Sequence, residues 1–115
     1  MQPINRDAIT VSARKPLIDW VNSQDPMHPI QFRDPSNYDE STIYLLAEIE
    51  IEEDFKAWIR KNYKVIFEEE LFNWDTDKSK WPKPLTFELF DEWIHVSYQS
   101  MVLDLSPEEP MEYEE

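Results

Sequence analysis

The sequence contains no cysteine and no glycine, and only 11 lysines and arginines stand against 25 aspartates and glutamates. Without cysteine there are no disulfides, thiolate metal ligands or cysteine nucleophiles, which fits a reducing cytoplasm. Without glycine, the phosphate-cradling loops of the Walker and dinucleotide-binding types are excluded, because both need backbone free of a Cβ against the ligand. No apolar run approaches the roughly 18 residues of a membrane span, and the first residues lack the basic-then-apolar pattern of a secretory leader. A cytoplasmic protein is expected, neither secreted nor inserted. The net charge of −14 repels phosphate backbones and anionic lipid, so neither nucleic acid nor a membrane is an expected direct partner.

What the chain does have is enough apolar material for a core. It is 115 residues long, 41% hydrophobic and 14% aromatic, a length at which roughly 65% of the unfolded surface is buried in one core. Residues 1–106 read as a single globular domain. Residues 107–115, with Pro107 and Pro110 among carboxylates, read as an acidic tail.

The periodicities supply the elements. Ile9 and Val11 alternate with polar neighbours over 8–12, the pattern of a half-buried strand. Pro16 suits the start of a helix, and Leu17, Trp20 and Val21 follow on one stripe, with Asn22 as its expected end. With no glycine, left-handed C-caps fall to Asn22, Asn62 and Asn73. Pro26, Pro29 and Pro35 mark a long connection that holds a brief extended piece at 30–32. The apolar run 42–47 predicts a strand covered on both faces and hence central in its sheet. Phe55, Ile59, Tyr63, Phe67, Leu71 and Trp74 draw a helical stripe, which the basic pair before Asn62 and the acids 68–70 divide into two helices. A loop over 75–84 follows, then a short helix capped by Thr86, then a strand from His95 to Leu105 whose phase slips near Gln99 and Ser100, as at a β-bulge or where the second half is buried on both faces. The order β-α-β-α-α-α-β implies an α/β (α+β-like) sandwich, a small sheet of about three strands with helices packed on it.

The segments Lys15-Pro-Leu-Ile-Asp-Trp-Val-Asn22 and Phe87-Glu-Leu-Phe-Asp-Glu-Trp93 resemble those of small acidic bacterial proteins of uncharacterised function. The resemblance implies a bacterial source and a stand-alone small α/β domain. It carries no catalytic motif and no function.

Four constellations bear on chemistry. Glu88 and Glu92 stand at i and i+4, and Glu92 is followed three residues on by His95, the Glu-x-x-His spacing of di-iron bundles. These three are the candidate catalytic residues. The motif occurs once where such bundles need it twice, so solvated carboxylates and a hydrogen-bonded structural histidine are the simpler reading, with no metal and no cofactor. Asp75, Asp77 and Ser79 imitate the opening of a calcium loop. Lys80 then stands where that loop needs glycine, and Thr86 where it needs a bidentate Glu, so aspartates shaping a turn are expected. Lys78, Lys80 and Lys83 flank Trp81, one of five tryptophans, in a basic cluster of an acidic chain. Those four are the candidate partner-binding residues, although a loop tryptophan also serves to pin its loop to the core.

These readings point first to a non-enzymatic interaction protein, inhibitor-like, immunity-like or an adaptor, that offers an acidic surface to a basic protein partner. A small carboxylate-based or metal-assisted hydrolase is the alternative, and requires Glu88 or Glu92 desolvated near His95. Nucleic-acid mimicry is a further alternative, and requires the acids of 39–54 and 68–70 to form one stripe. Self-repulsion at −14 favours a monomer at low salt, with a weak homodimer at higher salt.

Overall fold

The structure, a computed structural model, describes residues 1–31, 41–49 and 52–114, with 52 and 53 described by backbone alone. Strands β1 (Gln2–Pro3) and β2 (Arg6–Ala13) lead into helix α1 (Lys15–Gln24). Then come β3 (Thr42–Ala47), the long helix α2 (Glu52–Trp74), a single 3₁₀ turn (Lys78–Lys80), α3 (Phe87–Trp93), β4 (Ile94–Gln99) and β5 (Leu103–Asp104). The main sheet is antiparallel with order β3-β2-β4, and β1 pairs antiparallel with β5 in a two-stranded ribbon. Helices and small antiparallel sheets share one fold of the α+β class, as the pattern of periodicities implies.

The central strand is β2. Tyr44 and Tyr98 both lie opposite Ile9, and Thr42 and Val96 both lie opposite Val11. Because side chains alternate along a strand, Asp7, Ile9 and Val11 share the helix-covered face with Tyr44, Leu46, Val96 and Tyr98. There Ile9, Val11, Leu46 and Ile94 join Leu17 and Ile18 of α1, Ile59, Ile66, Phe67 and Leu71 of α2, Trp81, and Phe90 of α3 in one buried cluster. The opposite face carries Ala8, Thr10 and Ser12 beside Ile43, Leu45, His95 and Ser97.

Four expectations are corrected. The run 42–47 is an edge strand, not a central one, and Ile43, 66% exposed, lies on the open face. An apolar run states that a strand is hydrophobic and not where it sits; β2, with small Ala8 and Ser12 on its second face, takes the centre. The second correction is that α2 passes unbroken through Asn62, whose side-chain amide donates to the Trp58 carbonyl at 2.8 Å. The stripe from Ile59 to Leu71 packs on the same sheet on both sides of that point, so continuous packing outweighs the local stop signal.

Third, no described residue has positive φ, so none of the three asparagines forms a left-handed cap. Helix α1 runs past Asn22, whose amide instead donates to Ile30 O (2.9 Å) and whose oxygen accepts from Ile30 N (2.8 Å), a side-chain imitation of a strand pair that fastens the following loop. Fourth, the final strand is two strands. The chain bends at Ser100, and Leu103–Asp104 leaves the main sheet to pair with Gln2–Pro3, which accounts for the slipped phase without a bulge or a doubly buried second half. Residue 32, the end of the expected extended piece, lies outside the described residues. The expected Thr86 cap is present, its hydroxyl accepting from Leu89 N at 3.2 Å.

Candidate functional site

The residues singled out from the sequence lie on α3, on β4 and on the loop after α2. Glu88 and Glu92 both lie exposed on α3, so neither is desolvated. His95 belongs to β4, paired with Ser12 on the open face of the sheet, which removes the helical geometry that Glu-x-x-His spacing needs. Among the described residues no three His, Asp or Glu side chains stand close enough together to hold a metal ion.

The aspartates of the loop after α2 shape turns. Asp75 Oδ1 accepts from Asp77 N (2.9 Å), and Asp77 Oδ1 accepts from both Ser79 N (3.0 Å) and Ser79 Oγ (2.6 Å). The Ser79 bonds hold the Asp77 carboxyl below its ordinary range. Trp81 is pinned: 7% exposed, it donates its indole N–H to Asp75 O at 2.8 Å. Lys78, Lys80 and Lys83 are exposed, and Lys78 Nζ stands 5.8 Å from the Trp81 ring centre.

The fold adds a surface that the basic cluster alone did not indicate. Lys78 and Trp81 close one side of a hollow of about 350 Å³ whose other wall is Val65, Glu68, Glu69 and Phe72 of α2. Those four positions are i, i+3, i+4 and i+7, a single face of the helix. A second hollow, of about 420 Å³, is lined by Asp54, Ala57, Trp58 and Lys61 of the same helix with Glu48 and Ile49 after β3. The two share one seam. Trp58, Val65 and Phe72 follow each other at intervals of seven residues, which drifts only about 20° per step on an α-helix. Val65 is 72% exposed and Phe72 45% exposed, a second apolar line on a different side of the helix from the buried one. The signal was present in the sequence as a heptad spacing, hidden because the stronger 55–59–63–67–71 stripe accounts for the helix on its own.

Two buried carboxylates hold α2 and its approach to the sheet. Glu70, 9% exposed, faces the core from α2 and accepts from the Tyr44 hydroxyl of β3 at 2.6 Å and from the Thr42 hydroxyl. Burial pushes the Glu70 carboxyl above its ordinary value of 4.5 despite those donors, and burial together with the facing carboxylate pushes the Tyr44 hydroxyl up. Asp7 of β2, 3% exposed, accepts from Ile49 N at 2.8 Å and from the Tyr98 hydroxyl, and Phe55 stacks on Tyr98 at 4.6 Å. These two clusters fix β3, the start of α2 and hence the seam relative to the sheet. Each carboxylate is engaged by donors from the protein itself, an arrangement suited to structure rather than to proton transfer.

No protein-family model, no curated protein and no solved structure matches the chain. The functional reading therefore rests on surface geometry and charge. Of the acids that nucleic-acid mimicry would array, Asp39, Glu40 and Glu50 lie outside the described residues, as do the side chains of Glu52 and Glu53.

Proposed function

We propose that the protein is a non-enzymatic interaction module whose α2 seam receives a basic amphipathic helix of a protein partner, in the manner of an inhibitor, immunity protein or adaptor in the bacterial cytoplasm. The observation that carries the reading is the line of half-buried Trp58 and exposed Val65 and Phe72, set among four carboxylates, Glu48, Asp54, Glu68 and Glu69, that outnumber Lys61 and Lys78 in the same lining, on a chain of net charge −14. A helix docked in such a groove anchors through apolar side chains at i, i+3, i+4 and i+7, while flanking charges set partner choice and association rate. Lysines or arginines beside those anchors complement the acids of α2. Lys78, on the loop that Trp81 pins, borders the seam at one end and fixes the polarity of the bound segment by meeting an acidic residue at that end. The module acts as a monomer at low salt and self-associates weakly as salt screens its charge.

The test is fluorescence anisotropy with helical peptides of one apolar pattern and either basic or acidic flanks, at low and high salt, against the native protein and the Val65→Asp/Phe72→Asp variant. Preferential binding of the basic series, weakened by salt and lost in the variant, supports the proposal. Equal binding of acidic and basic peptides, or undiminished binding by the variant, overturns it.

A further inference from the structure

On the other side of the loop after α2 lies a smaller cavity of about 220 Å³, lined by Trp20, Val21, Gln24, Asp25, His28, Ile30, Trp74 and Asp75. Its volume equals about seven waters at roughly 30 Å³ each, the scale of one side-chain head group and not of a folded segment. Three features converge on it. Two indoles form walls: Trp74, 41% exposed, at the end of α2, and Trp20 of α1, held in place by its N–H bond to Lys80 O (3.3 Å) and by Trp93 at 6.0 Å between ring centres. Both helices end at the cavity, α1 at Gln24 and α2 at Trp74, and neither has a basic residue in its last turn to offset the negative end of its dipole. Asp25 and Asp75 add two carboxylates, while among the described residues the lining holds no lysine or arginine. His28 is the lining imidazole among the described residues, and its Nδ1 rests 3.2 Å from Asp25.

Aromatic faces, helix C-termini and carboxylates all favour one chemical class, a cation with enough hydrocarbon character to gain from the rings. We propose that this cavity binds an organic cation, an alkylammonium or guanidinium group, between Trp20 and Trp74 with Asp25 and Asp75 as counter-charges. The site is separate from the α2 seam and does not depend on the partner proposed for it. The Asn22–Ile30 pair holds the loop carrying Asp25 and His28 against α1, so the cavity is built before any ligand arrives.

The experiment titrates the full chain with methylguanidinium and with tetramethylammonium while recording the tryptophan indole N–H resonances. Sodium chloride and tert-butanol serve as ionic and neutral controls. Saturable shifts of the Trp20 and Trp74 resonances in the millimolar range are expected, absent with both controls. Trp74→Ala and Asp25→Asn are each expected to weaken binding about three- to tenfold; both positions are exposed, and the second keeps the inference testable should the first disturb the fold. Capped arginine amide run in parallel distinguishes the sources: binding as tight as methylguanidinium assigns the cation to a protein side chain, weaker binding to a free amine. No saturable shift, an equal response to tert-butanol, or unchanged affinity in Asp25→Asn overturns the proposal.

Discussion

Replacing Tyr44 with phenylalanine removes one hydroxyl that donates at 2.6 Å to a carboxylate which is itself 9% exposed. A hydrogen bond to a charged acceptor contributes about 1.5–3 kcal/mol, because the carboxylate left behind is desolvated without its partner. The Thr42 hydroxyl still serves Glu70, so the lower half of that range is expected. For a chain of this length the unfolding entropy is about 0.24 kcal/mol/K, so each kcal/mol moves Tm by about 4 °C. The Tyr44→Phe variant should therefore melt about 6–9 °C below the native protein at neutral pH. In acid, once Glu70 is protonated, the lost bond is one between neutral groups and the deficit should shrink to about 0.5–1.5 kcal/mol. Because every exposed carboxylate also titrates, the decisive assay is a double-mutant cycle of Tyr44→Phe with Glu70→Gln, followed by thermal melts at both pH values. Coupling of at least about 1 kcal/mol at neutral pH that falls in acid is expected. Coupling near zero at neutral pH, or equal at both, refutes the account of Glu70 as a buried carboxylate stabilised by Tyr44.

Glu70→Gln alone tests the sign of the linkage. A carboxyl raised by burial contributes stability that is present below its unfolded value of 4.5 and is lost as pH rises through its folded value, so the variant should lose less stability than the native protein between acid and neutral pH, by calorimetry at matched ionic strength. Trp81→Ala removes a buried indole and its bond to Asp75 O, and should cost about 3–5 kcal/mol in urea unfolding, whereas Lys80→Ala and Lys83→Ala should fall within about 0.5 kcal/mol of the native protein. Asp7→Ala removes the acceptor of Ile49 N and one acceptor of the Tyr98 hydroxyl and should cost about 2–5 kcal/mol, with faster amide exchange at Ile49. Since like charges at −14 oppose the compact state, Tm should rise between very low and physiological salt.

The amino-acid sequence by itself determined whatever depends on local chemistry. Absent residue types closed off thiolate and glycine-loop chemistry, and apolar periodicity located β2, α1, β3, α2, α3 and β4. Thr86 announced its cap, the aspartates of the 75–79 loop announced their turns, and Trp81 carried the alternative, a pin on its loop, that its burial bears out. These features are legible because their causes lie within a few residues of one another.

Tertiary structure decided everything that depends on which surfaces meet. Strand order went to β2 because it alone has partners on both edges, a fact about pairing that no single strand's composition contains. Asn62 stopped nothing, since helix α2 gains more from a continuous packed stripe than it loses at one unfavourable position. Glu70, inside a run of three glutamates, reads as solvated charge until the strand carrying Tyr44 and Thr42 arrives opposite it. The α2 seam and the two-tryptophan cavity are of the same kind. Each is assembled from residues far apart in the chain, Val65 with Trp81 and Trp20 with Trp74, whose proximity exists only after the helices have packed on the sheet.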